Sequence, residues 1–395
     1  MAANFYFQKI YSTLLKPFAL TLATGLGLSA NPVQALTFSY SYSPDINPQA
    51  LAGFTAAGNL WSSVFSDEVT VNINIGFKAL ESGVLGEANS TSSLVSYTNV
   101  RNALLNDRRS TDDFTAVSNL PTGSAFNMLI NRTTNSPMGA GSATPYLDKD
   151  KDANNTNIWI TNANAKALGL RTGNDTATDA SIAFSTLFNW DFDPSNGISA
   201  GSYDFVGAAA HEIGHALGFT SGVDILDTNS NVYRDDYFTY VTPMDLFRFS
   251  TASLKKGKGT IDWTANKTDK YFSINGGTTK IASFSTGVVY GDRQQASHWK
   301  DNLSLGILDP TAATGELLKI SESDRRLLDV IGWNRGATPT SSSSTSNSTS
   351  SSTSTTALRN TISVASVPEP STLVGLIALG GGFLVTRKNF LGRKV

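Results

Sequence analysis

The sequence predicts an α+β domain with a mixed sheet, a long histidine-bearing helix near its middle and a C-terminal subdomain. Three observations carry this. A helical pattern and an alternating strand pattern open the domain, short strand and helix signals lead to a long helix with two histidines, and a lone histidine precedes a closing helix. In order, Gln49 to Phe65 reads as a helix, and Glu68 to Ile75 as a strand with Val69, Val71 and Ile73 on one face. Tyr97 to Leu105 reads as a helix, Asn157 to Thr161 as a strand, and Ala163 to Leu168 as a further helix. Asp179 to Ser185 alternates and is expected to be either an edge strand able to pair with an extended peptide or a buried central strand. Tyr203 to Leu217 forms the long helix, with Ser202 or Asp204 as its cap and Gly218 as its stop. Asp324 to Ile331 closes the domain at Gly332-Trp333. No internal repeat is visible, and residues 36–336 are enough for a substantial core. Because helix and strand signals begin so early, no long inhibitory propeptide is expected.

Composition excludes several chemistries. The 395 residues include no cysteine, which rules out disulfides, thiolate metal sites and a cysteine-switch propeptide. The net charge of −2 hides an asymmetry: without 1–35 and 337–395 there remain 23 Lys/Arg and 31 Asp/Glu, a charge of −8. Nucleic acid is therefore not an expected partner.

The most informative segment is His211-Glu212-Ile213-Gly214-His215, which holds two of the chain's three histidines. Side chains four apart leave one face of a helix about a turn apart, so both imidazoles can reach one metal ion. The glutamate beside the first histidine is placed to act on water at that metal. A catalytic zinc takes three protein ligands and keeps a position open, so a third ligand lies elsewhere. The candidates are His298, Asp224 or Asp227 just after the helix, and Glu316 or Glu322 downstream. Met244 reads as a core residue.

The run HEIGHALGF, a helix with two ligands that stops just beyond them, resembles the metzincin zinc peptidases. Their short-spaced third ligand would fall six residues after His215, where this chain has Ser221, a poor ligand. The distant Ser297-His298-Trp299 resembles instead the leishmanolysin-like group, in which a long insert separates the helix from a third histidine. That resemblance implies a zincin fold with zinc in a cleft between two subdomains, one Zn2+ on His211, His215 and His298, and Glu212 as general base. It implies an endopeptidase acting on protein or peptide substrates. In this group a methionine turn underlies the metal; the matching stretch here is Leu305 to Pro310, with Leu308 in the methionine's place. A noncatalytic envelope or biofilm-matrix protein is the alternative reading.

Both ends read as addresses. Residues 1–35 carry Lys9 and Lys16, an apolar stretch from Pro17 to Leu28 and a small-residue cleavage site at Val33-Gln34-Ala35, the pattern of a signal peptide. Residues 337–366 are a Ser/Thr-rich linker. Residues 367–395 combine Val-Pro-Glu-Pro-Ser, an apolar run and a basic end, which resembles the PEP-CTERM sorting signal. That resemblance implies export to the envelope or exterior of a Gram-negative-type bacterium, an exosortase-type processing partner, and transient membrane association through the tail. Two aspartate-rich runs, Asp148 to Asp152 and Asp191 to Gly197, are possible Ca2+ loops, the first lacking the glycine of a standard calcium loop.

Overall fold

The computed structural model describes residues 36–80, 83–336 and 364–366. The expected signal peptide and sorting segment lie outside the described residues, as does the linker apart from Val364–Ser366. In the first half, β1 (Thr37–Ser41), α1 (Pro48–Ser62), β2 (Thr70–Lys78), β3 (Gly86–Ser90) and β4 (Ser92–Ser96) are followed by α2 (Tyr97–Asp107) and α3 (Thr111–Ser118). Then come β5 (Met128–Ile130), β6 (Tyr146–Asp148), α4 (Ala153–Thr156), β7 (Asn157–Thr161), α5 (Asn162–Ala167) and β8 (Ala180–Ser185). After β9 (Trp190–Asp191) and β10 (Tyr203–Asp204) runs the histidine helix α6 (Phe205–Ala216), then α7 (Val223–Thr228). The last part contains β11 (Arg248–Phe249), α8 (Thr251–Leu254), β12 (Ile261–Asp262), β13 (Lys270–Phe272), β14 (Ala282–Phe284), β15 (Thr311–Ala313) and α9 (Glu322–Val330). Helices and several sheets, two of them mixed, make the protein α+β.

The largest sheet has strand order β1-β2-β8-β3, parallel except for β3, which pairs antiparallel with β8. Val71, Ile73 and Ile75 of β2 are buried on one face, as their alternation predicts. The strand expected at Asp179 to Ser185 forms, but as an interior strand between β2 and β3, so it cannot be a substrate edge. The pattern Ala-Ser-Ile-Ala-Phe-Ser leaves only Ser181 exposed, as suits a strand covered on both faces. The edge is β3, whose Gly-Glu-Ala-Asn-Ser sequence carries little strand signal.

Helices α1 and α6 pack together against this sheet through an aromatic cluster in which Phe205 meets Phe54 and Phe184 with ring centres 5.4 and 5.0 Å apart. The indole of Trp61 on α1 donates to the Ala210 carbonyl in α6, and that of Trp333, beyond α9, to the Leu217 carbonyl. One hydrophobic core runs from Leu36 to Trp333. A smaller antiparallel sheet, β11-β13-β14, leads into the loop that carries His298.

Candidate metal centre

The site is built on α6. Asp204, not Ser202, caps it: its Oδ1 accepts the Gly207 amide at 2.8 Å. All twelve helix residues are buried, so α6 is a central core helix and its histidines are carried into the interior. The C-terminus closes as a Schellman turn. Gly218, at φ +116°, donates to the His215 carbonyl, and Phe219 donates to that of Gly214. Only glycine takes that backbone conformation cheaply. The turn brings the Phe219 carbonyl back to His215, whose Nδ1 lies 2.7 Å from it.

His211 is fixed in the same way, with Nδ1 2.7 Å from the Ile307 carbonyl. A carbonyl can only accept, so both Nδ1 atoms carry the proton and both Nε2 atoms present lone pairs. Those two Nε2 atoms are 3.0 Å apart, and Nε2 of His298 lies 3.2 Å from one and 3.3 Å from the other. The lone pairs of His211 and His215 face each other at this distance and repel unless a proton or a cation sits between them. Tetrahedral bonds of ~2.0–2.1 Å place imidazole nitrogens ~3.3–3.4 Å apart, so the donor set fits such an ion. The three side chains are the ones the sequence singled out, and all are buried.

Burial lowers the pKa of each ring. His215 falls to about 4; His211 and His298 fall well below the usual value, burial being joined by the neighbouring histidines. The rings are therefore neutral and competent as ligands near pH 7. Glu212 is fully buried, and neither carboxylate oxygen has a hydrogen-bond partner. Burial, then repulsion from Glu87 on edge strand β3, pushes its pKa well above the carboxylate range. A buried ionisable group left without a partner, one residue along the helix from His211, is a site feature rather than a core feature.

The loop of His298 is held from two sides. Asp224 accepts the amides of Ala296 and Ser297 at 2.6 and 3.1 Å, and the Ser297 hydroxyl at 2.5 Å. The buried Arg248 guanidinium donates to the carbonyls of Ala296 and Ser285. Asp227 accepts the amides of Val289 and Tyr290. Both aspartates considered as third ligands thus organise the loop of the histidine and stand outside the nitrogen triangle. Ser221 donates to Asp245 at 2.6 Å. Glu316 is exposed and Glu322 pairs with Arg335 on the surface, so neither approaches the centre. Met244 is buried in the core, as expected.

The stretch from Leu305 to Pro310 does lie against the helix. Leu308 is fully buried, and a β-carbon on Gly214 would stand 3.0 and 3.2 Å from its two methyls, so glycine at 214 admits the leucine. Asp324, at the start of α9, fixes this stretch. It is fully buried and accepts the amides of Ile307, Leu308 and Ser321 and the Trp299 indole. One carboxylate thereby holds the residue whose carbonyl orients His211 and the residue next to His298. In the sequence Asp324 is visible only as a helix-start residue in a capping box with Ser321. Asp224, Arg248 and Glu87 likewise carry no local signal of their roles.

In the Asp191 to Gly197 run the carboxylates accept the amides of Asp193, Ser195 and Ser199. Comparison of the chain with protein-family models, with curated proteins and with solved structures finds no match.

Proposed function

We propose that the protein is a zinc-dependent endopeptidase with a metzincin-like zincin fold. The observation that carries this is the convergence of three imidazole Nε2 atoms beside a buried, partnerless glutamate. His211, His215 and His298 would hold the zinc, and imidazole donors suit it. When bound, zinc supplies Lewis acidity, which brings the pKa of water toward ~7 and polarises a carbonyl. Glu212 does the proton work: its carboxylate takes a proton from the attacking water and returns it to the leaving amine. A cation next to it would counter the effect of burial and keep Glu212 ionised at neutral pH.

Edge strand β3 supports a peptide substrate. Leu85 and Thr91 direct main-chain groups toward the β8 side, accepting from Ser185 and donating to Asp179. By alternation Gly86, Ala88 and Ser90 direct theirs to the open edge, where an extended peptide could pair. The strand packs beside α6, so a peptide there would run past the histidine centre. The test is casein hydrolysis by the purified protein. Activity should vanish on chelation and return with zinc; a protein that cleaves casein equally well after its metal has been stripped is not this enzyme.

We also propose that the chain is exported and sorted through its C-terminal segment. A chain lacking 367–395 should leave the cell envelope with its catalytic activity intact. Envelope retention equal to that of the full chain would rule out the sorting role.

A further inference from the structure

Beside the histidine loop lies a cavity whose chemistry the zinc mechanism does not use. It measures about 120 Å³, where ~150 Å³ holds a benzene ring, so it has room for one side chain. Its lining comes from both sides of the path proposed for a peptide. Asn89 and Ser90 belong to edge strand β3, and Ser297 immediately precedes His298. A peptide laid along β3 would therefore drop a side chain into it close to the scissile bond.

Two aromatic rings and a carboxylate characterise this lining. Trp159 and Tyr240 meet edge to face with ring centres 5.5 Å apart. Asp224 is the only charged side chain among the described residues of the lining. The Ala296 and Ser297 amides and the Ser297 hydroxyl that donate to it are neutral, so its charge persists. A second carboxylate lies directly behind. Asp245 accepts the amides of Gly222 and Thr242 and the Ser221 hydroxyl, all from residues of the lining. Burial lowers the pKa of Arg248, and four carboxylates oppose this: Asp245, Asp262, Asp224 and Asp292. Lys270 and Lys300 stand 3.7 and 3.5 Å from Asp262 and Asp292, which leaves Arg248 to face Asp245 and Asp224. One guanidinium does not neutralise two carboxylates, and the wall stays negative.

The hydroxyls on that wall offer acceptors rather than donors. Ser221 gives its proton to Asp245, Ser297 to Asp224 and Thr242 to the Thr220 carbonyl, and a hydroxyl has only one. What suits such a wall is a ligand that brings its own donors and a positive charge, with rings to lie against. A carboxylate would meet repulsion and give up its water without return.

We infer that the cavity is a specificity pocket for a lysine or arginine side chain of the peptide substrate, recognised by the Asp224 charge and the Trp159 and Tyr240 rings. The inference rests on the peptidase reading and deepens it by naming basic peptides as the substrate. The charge of −8 over residues 36–336 would draw the same peptides toward the protein.

The test uses peptides that differ only in lysine, norleucine or glutamate at one position, scanned along one sequence. The zinc-loaded protein should favour lysine over norleucine about tenfold in kcat/KM at one fixed position from the scissile bond, with glutamate lowest. Asp224→Asn and Tyr240→Leu should each bring that ratio to within about twofold of unity. Both peptides are measured on one preparation, so zinc lost from a variant cancels in the ratio. A wild-type ratio near one, a preference for norleucine, or a ratio unchanged in both variants would overturn the pocket. The same peptides are also passed over immobilised Glu212→Gln chain. If the wild-type protein cleaves none of them, the peptidase reading fails and retention on that chain decides the pocket. Lysine peptides held over norleucine peptides uphold it, and equal retention overturns it.

Discussion

If the protein is a zinc peptidase, replacing Glu212 by glutamine should lower peptide hydrolysis by roughly 10²- to 10⁴-fold while zinc content stays at one ion per chain. Glutamine keeps the shape and removes only the proton acceptor. The wild-type carboxylate is buried without a hydrogen-bond partner, so its replacement breaks no contact that holds the fold. The neutral amide also relieves the cost of a buried charge, and the variant should be at least as stable to heat as the parent. Zinc analysis, casein cleavage and a melting curve on one preparation check this. Wild-type turnover in Glu212→Gln would remove the residue from the mechanism.

The second large effect is on metal content. His298→Ala would leave two imidazoles, a set too weak to keep zinc through dialysis, and activity should fall with it. Ser221→Ala leaves both zinc and activity near the parent value, because that hydroxyl is engaged with Asp245. Asp224→Ala should lie between them: the proposed ligand remains, but the amides of Ala296 and Ser297 lose their acceptor and the loop of His298 is held by Arg248 alone. Loss of such a supporting group typically weakens metal binding 10- to 100-fold. Zinc per chain across the three variants decides the assignment. Full occupancy in His298→Ala, with none in Asp224→Ala, would transfer the third ligand to the aspartate.

What was legible in the chain followed from local chemistry. The helix at 205–216 announced itself through its cap, its apolar run and Gly218, and the spacing of His211, Glu212 and His215 carried its meaning in one turn. Strand Asn157–Thr161 and helices α1, α2 and α9 were likewise predicted to within a few residues, because periodicity and caps are local properties. Helix α3 was not foreseen, although Ser110 and Asp113 form a capping box at its start; at eight residues it gives too little periodicity to stand out.

Strand order was not legible. Asp179 to Ser185 reads equally well as edge or centre, and only pairing with β2 on one side and β3 on the other makes it central. The true edge, Gly86–Ser90, has almost no strand propensity and is held in the sheet by its neighbour. The sequence by itself determined which residue types could bind a metal: with three histidines and no cysteine, the list of strong ligands was short. Tertiary structure decided that His298 joins the pair while Asp224 and Asp227 serve its loop. That choice depends on which oxygens and nitrogens meet across 83 residues of chain, and the carbonyls of Ile307 and Phe219 that aim the rings are backbone atoms present at every position. No residue letter records where a carbonyl points; only packing does.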